Sequence, residues 1–445
     1  MLLSTIAIAE LYSELITTIV PGPASWSYFV PLFLLPLGLS IPSSILSHDQ
    51  LGALIVPISF IATVHAWAVL GGNDVISTDC LYLTLFLYIF KDPRRDFRRV
   101  IRPVASQVPG SRNYEKVAEP ERVSLEAHPK TLPGRLVWAM VLSQSRPLHD
   151  WIIGNPGHDR RVLNTFQHPT RFEFMMDIFS RLVPVLSIFL SLSRQLAKHD
   201  PYFSDPKWSV FSPSGSGGSG EGKVADLFRA VLPLFMLRPL VMAMYAYSLL
   251  IVMFLPPMLV PVLLSAVRLI PDKWSPHTWR PHFGPFSAIT RYGVRGFWGR
   301  WWHQQMRHIV SEPGRWFAAK LGLANHGWQK TFKYMLICVS AFILSGITHS
   351  GLVPPKPRFA TVGANELRLK LASFFWIQPV GIAVELFVLE PALRSLPSSM
   401  RGLQGLLRVM WAATFMCFAC TFLVLPFGQL GYWNLIPSEH LPYLP

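Results

Sequence analysis

The residues best suited to chemistry in this 445-residue chain are a single histidine, His349, inside an apolar run, and the cluster Phe297-Trp298-Gly299-Arg300-Trp301-Trp302-His303 in the basic stretch before it. A neutral imidazole titrates close to neutral pH, so it can take the proton of an alcohol as that alcohol attacks a thioester. A polar side chain kept within a membrane-crossing segment is costly and marks a functional group by default. Trp and Arg side by side at a bilayer surface make a place where a charged, water-soluble donor can dock. The pairing points to acyl transfer inside a membrane. Each half also has a plainer reading: a Trp/Arg helix lying in the headgroup layer, and a histidine hydrogen-bonded to a neighbouring helix.

The spacing adds detail. On one continuous helix Arg300, His303 and Arg307 would share a cationic face, with Trp298, Trp301, Trp302 and Gln305 on the neighbouring aromatic one. His349 sits in Leu344-Ser345-Gly346-Ile347-Thr348-His349-Ser350-Gly351, where small residues let other helices approach closely and turn the imidazole toward a bundle interior.

Helices crossing a bilayer must position these groups. The chain is 51% hydrophobic and 15% charged, with a mean hydropathy of +0.34, and its apolar residues are bunched into runs. At about 20 residues per crossing, spans are expected near 26–46, 51–70, 75–90, 172–193, 231–270, 334–353, 371–390 and 406–427. The fold class is therefore all-α, a polytopic transmembrane bundle of about eight spans, forming a single integral-membrane domain over 1–445. The 231–270 stretch, interrupted by Arg238-Pro239 and Pro256-Pro257, reads as one kinked, tilted span with an interfacial approach, a re-entrant pair being the alternative.

Between the spans, 91–170 reads as a basic cytosolic loop, irregular apart from interfacial pieces such as Leu136–Leu142. Residues 200–225 read as a flexible loop containing the Gly/Ser run Ser212–Gly220, and 271–333 as a cytosolic or interfacial Trp/Arg-rich region. The C-terminal spans, 334–427, carry the histidine. The N-terminus has Glu10 and Glu14 but no Lys or Arg before Lys91, which is the wrong charge for a signal peptide and suggests a short lumenal segment.

Several classes drop out. The net charge of +15 is spread over connections beside apolar runs, the distribution of the positive-inside rule, and no nucleic-acid motif accompanies it. Cys417 and Cys420 form a C-x-x-C without a second pair or nearby His, so neither metal nor disulfide is assigned. H-x-x-x-x-D, G-x-S-x-G and H-E-x-x-H motifs are missing from the sequence, and the G-x-G-x-x-G spacing of Gly215, Gly217 and Gly220 falls in the low-complexity Gly/Ser run, which reads as a linker rather than a dinucleotide loop. Asn73, Asp74 and Asp79 are too sparse for a diphosphate site, and the pairs His149-Asp150, His158-Asp159 and His199-Asp200 read as surface groups. The two halves do not match as an inverted-repeat transporter's would.

Phe297-Trp298-Gly299-Arg300-Trp301-Trp302-His303-Gln304, with Arg307 after it and Pro281-His282-Phe283-Gly284 before it, resembles the signature of the wax synthase-like branch of the membrane-bound O-acyltransferases. Ser345-Gly346-Ile347-Thr348-His349 is similar to the run around that superfamily's intramembrane histidine. Length, the long basic loop and Pro-rich spans are most similar to acetyltransferases of fungal terpenoid and meroterpenoid biosynthesis. The first cytosolic loop departs, with only Pro133-Gly134-Arg135-Leu136-Val137-Trp138 where relatives carry an Arg-Gly-Ile-Gly-Trp-type run, and Thr348 stands where an aliphatic residue is usual.

The resemblance implies an internal reaction chamber in the endoplasmic reticulum membrane, with acyl-CoA entering from the cytosol and a lipophilic hydroxylated acceptor arriving from the bilayer. It implies His349 as general base and His303 in an accessory position. The expected reaction moves acetyl from acetyl-CoA, a co-substrate rather than a resident cofactor, to the hydroxyl of a terpenoid-type acceptor. Arg295, Arg300 and Arg307 are then the counterparts of the CoA phosphates, with Trp302 and Gln304 beside them. A long-chain wax-ester or sterol-ester synthase, and a transporter or scaffold using the same spans, are the alternatives.

Overall fold

The computed structural model describes residues 33–70, 72–101, 124–144, 151–153, 171–198, 200–203, 232–269, 283–302, 307–357 and 360–431. Its main elements are α1 (His48–Leu70), α2 (Val75–Leu85), β1 (Phe97–Ile101), β2 (Ser124–Glu126), α3 (Leu132–Gln144) and β3 (Trp151–Ile153). They continue with α4 (Arg171–Ala197), α5 (Leu234–Ala266), α6 (Ser287–Gly296), α7 (Arg307–Lys320), α8 (Gly327–Ser350), α9 (Ala364–Arg394) and α10 (Arg401–Gln429).

The protein is an all-α, polytopic helical protein. Among the described residues six helices are long and apolar enough to cross a membrane: α1, α4, α5, α8, α9 and α10. Their outer faces carry large exposed apolar side chains, among them Phe60, Ile61, Phe179, Ile188, Phe387 and Phe418, a surface that water would not tolerate and lipid does.

Two of the eight expected spans do not reach that length here. The described part of 26–46 is helical over 33–40 and then turns at Pro42. Residues 75–90 form a shorter apolar helix, closed at one end by the Asp74 N-cap, which accepts from Ser77 N at 2.8 Å, and ending in a π-turn over Phe86–Phe90. The 231–270 stretch is one helix of 33 residues, and its proline pair does not end it.

The largest departure lies in 91–170. In place of an irregular loop the described residues form a three-stranded antiparallel sheet, ordered β2-β1-β3, with Arg99 opposite Glu126 on one side and Arg98 opposite Ile152 on the other. Helix α3 covers Leu136–Leu142, whose Trp138, Ala139 and Leu142 are buried in the protein rather than laid on its surface. The linker Ser212–Gly220, the first 32 residues, and the pairs His149-Asp150 and His158-Asp159 lie outside the described residues. Asp200 overturns the surface reading of its pair: it is buried and bound bidentately to the buried Arg238, at 2.7 and 2.9 Å. A buried carboxylate needs a partner of this kind.

Two larger cores result. One joins α5, α6, α8, α9 and α10 through residues such as Val241, Val294, Phe342, Leu371 and Ala419. The other joins α1, α2, the sheet and α3 through Leu51, Phe86, Phe97, Trp138 and Trp151. Helix α7 connects them, with Ile309 in the second core and Glu312 paired to Lys91 at 2.6 Å.

Candidate active site

His349 lies in the last turn of α8. Its Nδ1 is 2.8 Å from the carbonyl oxygen of Ser345, one turn back. A carbonyl only accepts, so Nδ1 carries the proton and Nε2 keeps the lone pair. The ring stacks on Phe375 of α9, with centroids 4.1 Å apart and planes 28° apart. The expected close helix approach is present at Gly346, where an added Cβ would run into the Trp376 indole and lie 3.1 Å from the Ala372 carbonyl.

The end of α8 is held from a distant part of the chain. Asn73 Nδ2 donates to Ile347 O and to Ser350 Oγ, both at 2.8 Å. Gly351 meets the backbone of Asp74 and Val75 so closely that a Cβ there would stand 2.8 Å from the Asp74 carbonyl carbon. Tyr82 OH reaches Leu344 O at 3.4 Å.

The Trp-rich segment approaches from the other side. Near the end of α6, Gly293 adopts φ 56°, ψ −133°, a left-handed conformation that favours glycine. Val294 N then donates to Glu385 Oε2 at 2.6 Å, and Arg295 Nε pairs with Glu385 Oε1 at 3.2 Å. Arg295 also lies 3.8 Å from Glu390, which Arg408 holds at 2.7 and 3.1 Å. Two cations and two carboxylates thus balance one another inside the protein. Phe297–Trp301 form a π-turn that stops where Trp302 becomes extended, at ψ 155°. Gly284 N donates to Trp301 O at 2.9 Å, closing the segment on itself.

Within it Trp298 Nε1 donates to Gln378 Oε1 at 2.8 Å, and the indole packs against Phe342, Phe374 and Phe375. Phe375 therefore touches both Trp298 and His349. Through it, the two groups singled out in the sequence share one aromatic wall.

The single cationic helix face is not formed. The extended backbone at Trp302 places Arg300 in the π-turn and Arg307 at the start of α7. Arg300 is exposed and lies over the Tyr292 ring at 4.2 Å. Trp302 stacks on Phe297 at 5.3 Å and meets Phe283 edge-on. Arg295 faces the two carboxylates. His303 and Gln304, like Pro281 and His282, lie outside the described residues.

Phe375, Gln378, Glu385, Glu390 and Arg408 were not reached from sequence, and Asn73 was weighed there only as part of a diphosphate site. A signal existed for Gln378, Glu385 and Glu390, which are polar or ionisable residues in an otherwise apolar run. Phe375 carried none.

Residues 279–354, which span both the Trp-rich segment and His349, match the family model described as the Membrane bound O-acyl transferase family. The chain is also similar to the acetyltransferase ple2 of Rhodocybe pseudopiperita, with 39% identity over 59 residues. That stretch is 13% of this chain and spans only 15% of that protein's length. No solved structure matches.

Proposed function

We propose that the protein is an acyl-CoA-dependent O-acyltransferase of the endoplasmic reticulum membrane, which moves acetyl from acetyl-CoA to a hydroxyl of a lipophilic, terpenoid-type acceptor. The observation that carries this reading is the 2.8 Å contact of His349 Nδ1 with Ser345 O: a carbonyl only accepts, which leaves Nε2 as the base of the neutral ring, set in a spanning helix against Phe375. In the proposed reaction Nε2 takes the acceptor's hydroxyl proton as its oxygen attacks the thioester carbonyl. The C–S bond breaks, and CoA leaves as the thiol once it has regained a proton.

Arg300 and Arg307 are the proposed counterparts of the CoA phosphates, with Trp302 and Gln304 beside them. Arg295, already committed to Glu385 and Glu390, shapes the segment instead. His303 is proposed to orient the reacting groups. Acetyl as the transferred group is supported by the likeness to a fungal acetyltransferase over 59 residues.

Labelled acetyl-CoA and palmitoyl-CoA, supplied to microsomes containing the protein with a terpenoid alcohol, test the reading. The expected outcome is an acetyl ester whose formation His349→Ala abolishes. Palmitoyl transfer alone would overturn the acetyl assignment, and equal turnover by His349→Ala would overturn the base.

A further inference from the structure

Two polar side chains of α9, Gln378 and Glu385, are completely buried and stand seven residues apart, on one face of the helix run. Both reach the same neighbour. Glu385 uses one oxygen on the Val294 amide and the other on Arg295. An added Cβ at Gly293 would collide with this carboxylate, so its seat depends on the left-handed glycine. Gln378 accepts from the Trp298 indole and gives its own N–H to Phe374 O at 2.7 Å, so both ends of its amide are engaged.

The stretch between these anchors folds back on itself. Tyr292, just before Gly293, lies under Arg300, just beyond Trp298. Trp298 in turn meets Phe375, which stacks on His349. Glu385 thus controls the bend that seats Arg300, while Gln378 controls the indole on the His349 side.

We propose that Gln378 and Glu385 are positioning residues forming a two-point latch on residues 293–301, with Glu385 setting affinity for the acyl-CoA donor through Arg300 and Gln378 setting turnover through Trp298 and Phe375. The kinetic half rests on the acyltransferase reading above; the structural half does not. Removing one partner from a buried polar pair leaves the other unsatisfied, which costs more than the bond itself contributed. The two variants should therefore free the segment at different ends.

The test uses the full-length protein in nanodiscs. Glu385→Gln should raise KM for acetyl-CoA by about fivefold or more with kcat within about twofold, and Gln378→Leu should lower kcat by about tenfold or more with KM within about twofold. Glu385→Asp, which keeps the charge, should recover part of the donor affinity. Hydrogen exchange should accelerate in both variants over 293–301 and stay unchanged over 364–374. Variants that move kcat and KM by the same factors, or that loosen both peptides alike, would reduce the latch to general packing and overturn it. Wild-type protein inactive with every acyl-CoA would overturn the acyltransferase reading. Exchange over 293–301 would then decide the latch alone, with unchanged protection in both variants counting against it.

Discussion

The two larger cores solve the same packing problem by different means. Around α1–α3 and the sheet, the centre is aromatic and apolar, with Trp138 meeting Trp151 edge-on at 4.9 Å and His128 at 5.0 Å, and polar ties such as Tyr88 OH to Leu35 O run mainly to backbone carbonyls. Among the described residues neither indole nitrogen has a hydrogen-bond partner. Around α6, α8 and α9, the joints between elements are polar: Asn73 to Ile347, Glu385 to Val294, Gln378 to Trp298. Apolar contact is non-directional and tolerates small shifts. A hydrogen bond fixes distance and angle and penalises any departure in a dry interior. The first core is built to hold together, the second to hold particular atoms in place.

That contrast can be broken from the second core first. His349→Ala should cost about 10²- to 10⁴-fold in turnover while leaving insertion and accumulation intact, because it removes a general base rather than a packing group. Rate measurements on matched protein amounts check this, and a variant that fails to accumulate would return His349 to packing.

Trp138→Ala should show the opposite pattern. Loss of about 3–5 kcal/mol of stability is expected for a large buried aromatic, read as a lower thermal midpoint in detergent, with KM unchanged in the protein that remains folded.

Asn73→Ala tests the polar joints. It removes two hydrogen bonds worth about 0.5–1.5 kcal/mol each and should lower kcat by about tenfold. Asn73→Asp keeps an acceptor but no donor and should not rescue it.

The smallest effect concerns His128, outside the spans. Burial holds its pKa below the ordinary value, against the Leu39 carbonyl that its ring meets at 3.0 Å. The unfolded chain then binds the extra proton first, so this contribution to stability is complete above about pH 6.5 and fades as pH falls below it. His128→Gln should flatten that dependence relative to wild type in thermal melts taken from pH 7.5 down to 5.

Much of the fold was legible because apolar runs report spans directly: 51–70, 172–193, 334–353, 371–390 and 406–427 each correspond to a long helix. The sheet was not, since Phe97-Arg98-Arg99-Val100-Ile101 is short and charged and its partners lie far along the chain at Ser124–Glu126 and Trp151–Ile153. Pairing over such separations leaves no local period to read. In the candidate site, His349 and the Trp cluster stood out by residue type. Extending one helical period through Trp302 failed because the backbone there is extended, and periodicity cannot see a break that carries neither Gly nor Pro. Phe375 was invisible for another reason: an aromatic in an apolar run looks like every other lipid-facing or packed ring.

The bond from His349 Nδ1 to Ser345 O has a consequence for the order of events in the proposed reaction. With one ring nitrogen tethered to the helix it grows from, the imidazole has a single working nitrogen, and a proton taken up there must leave from there. The departing sulfur is the group that needs it. One nitrogen would then serve as base in the first half of the cycle and as acid in the second, so each turnover returns the ring to its starting tautomer without a ring flip, a second acid or a proton drawn from bulk water.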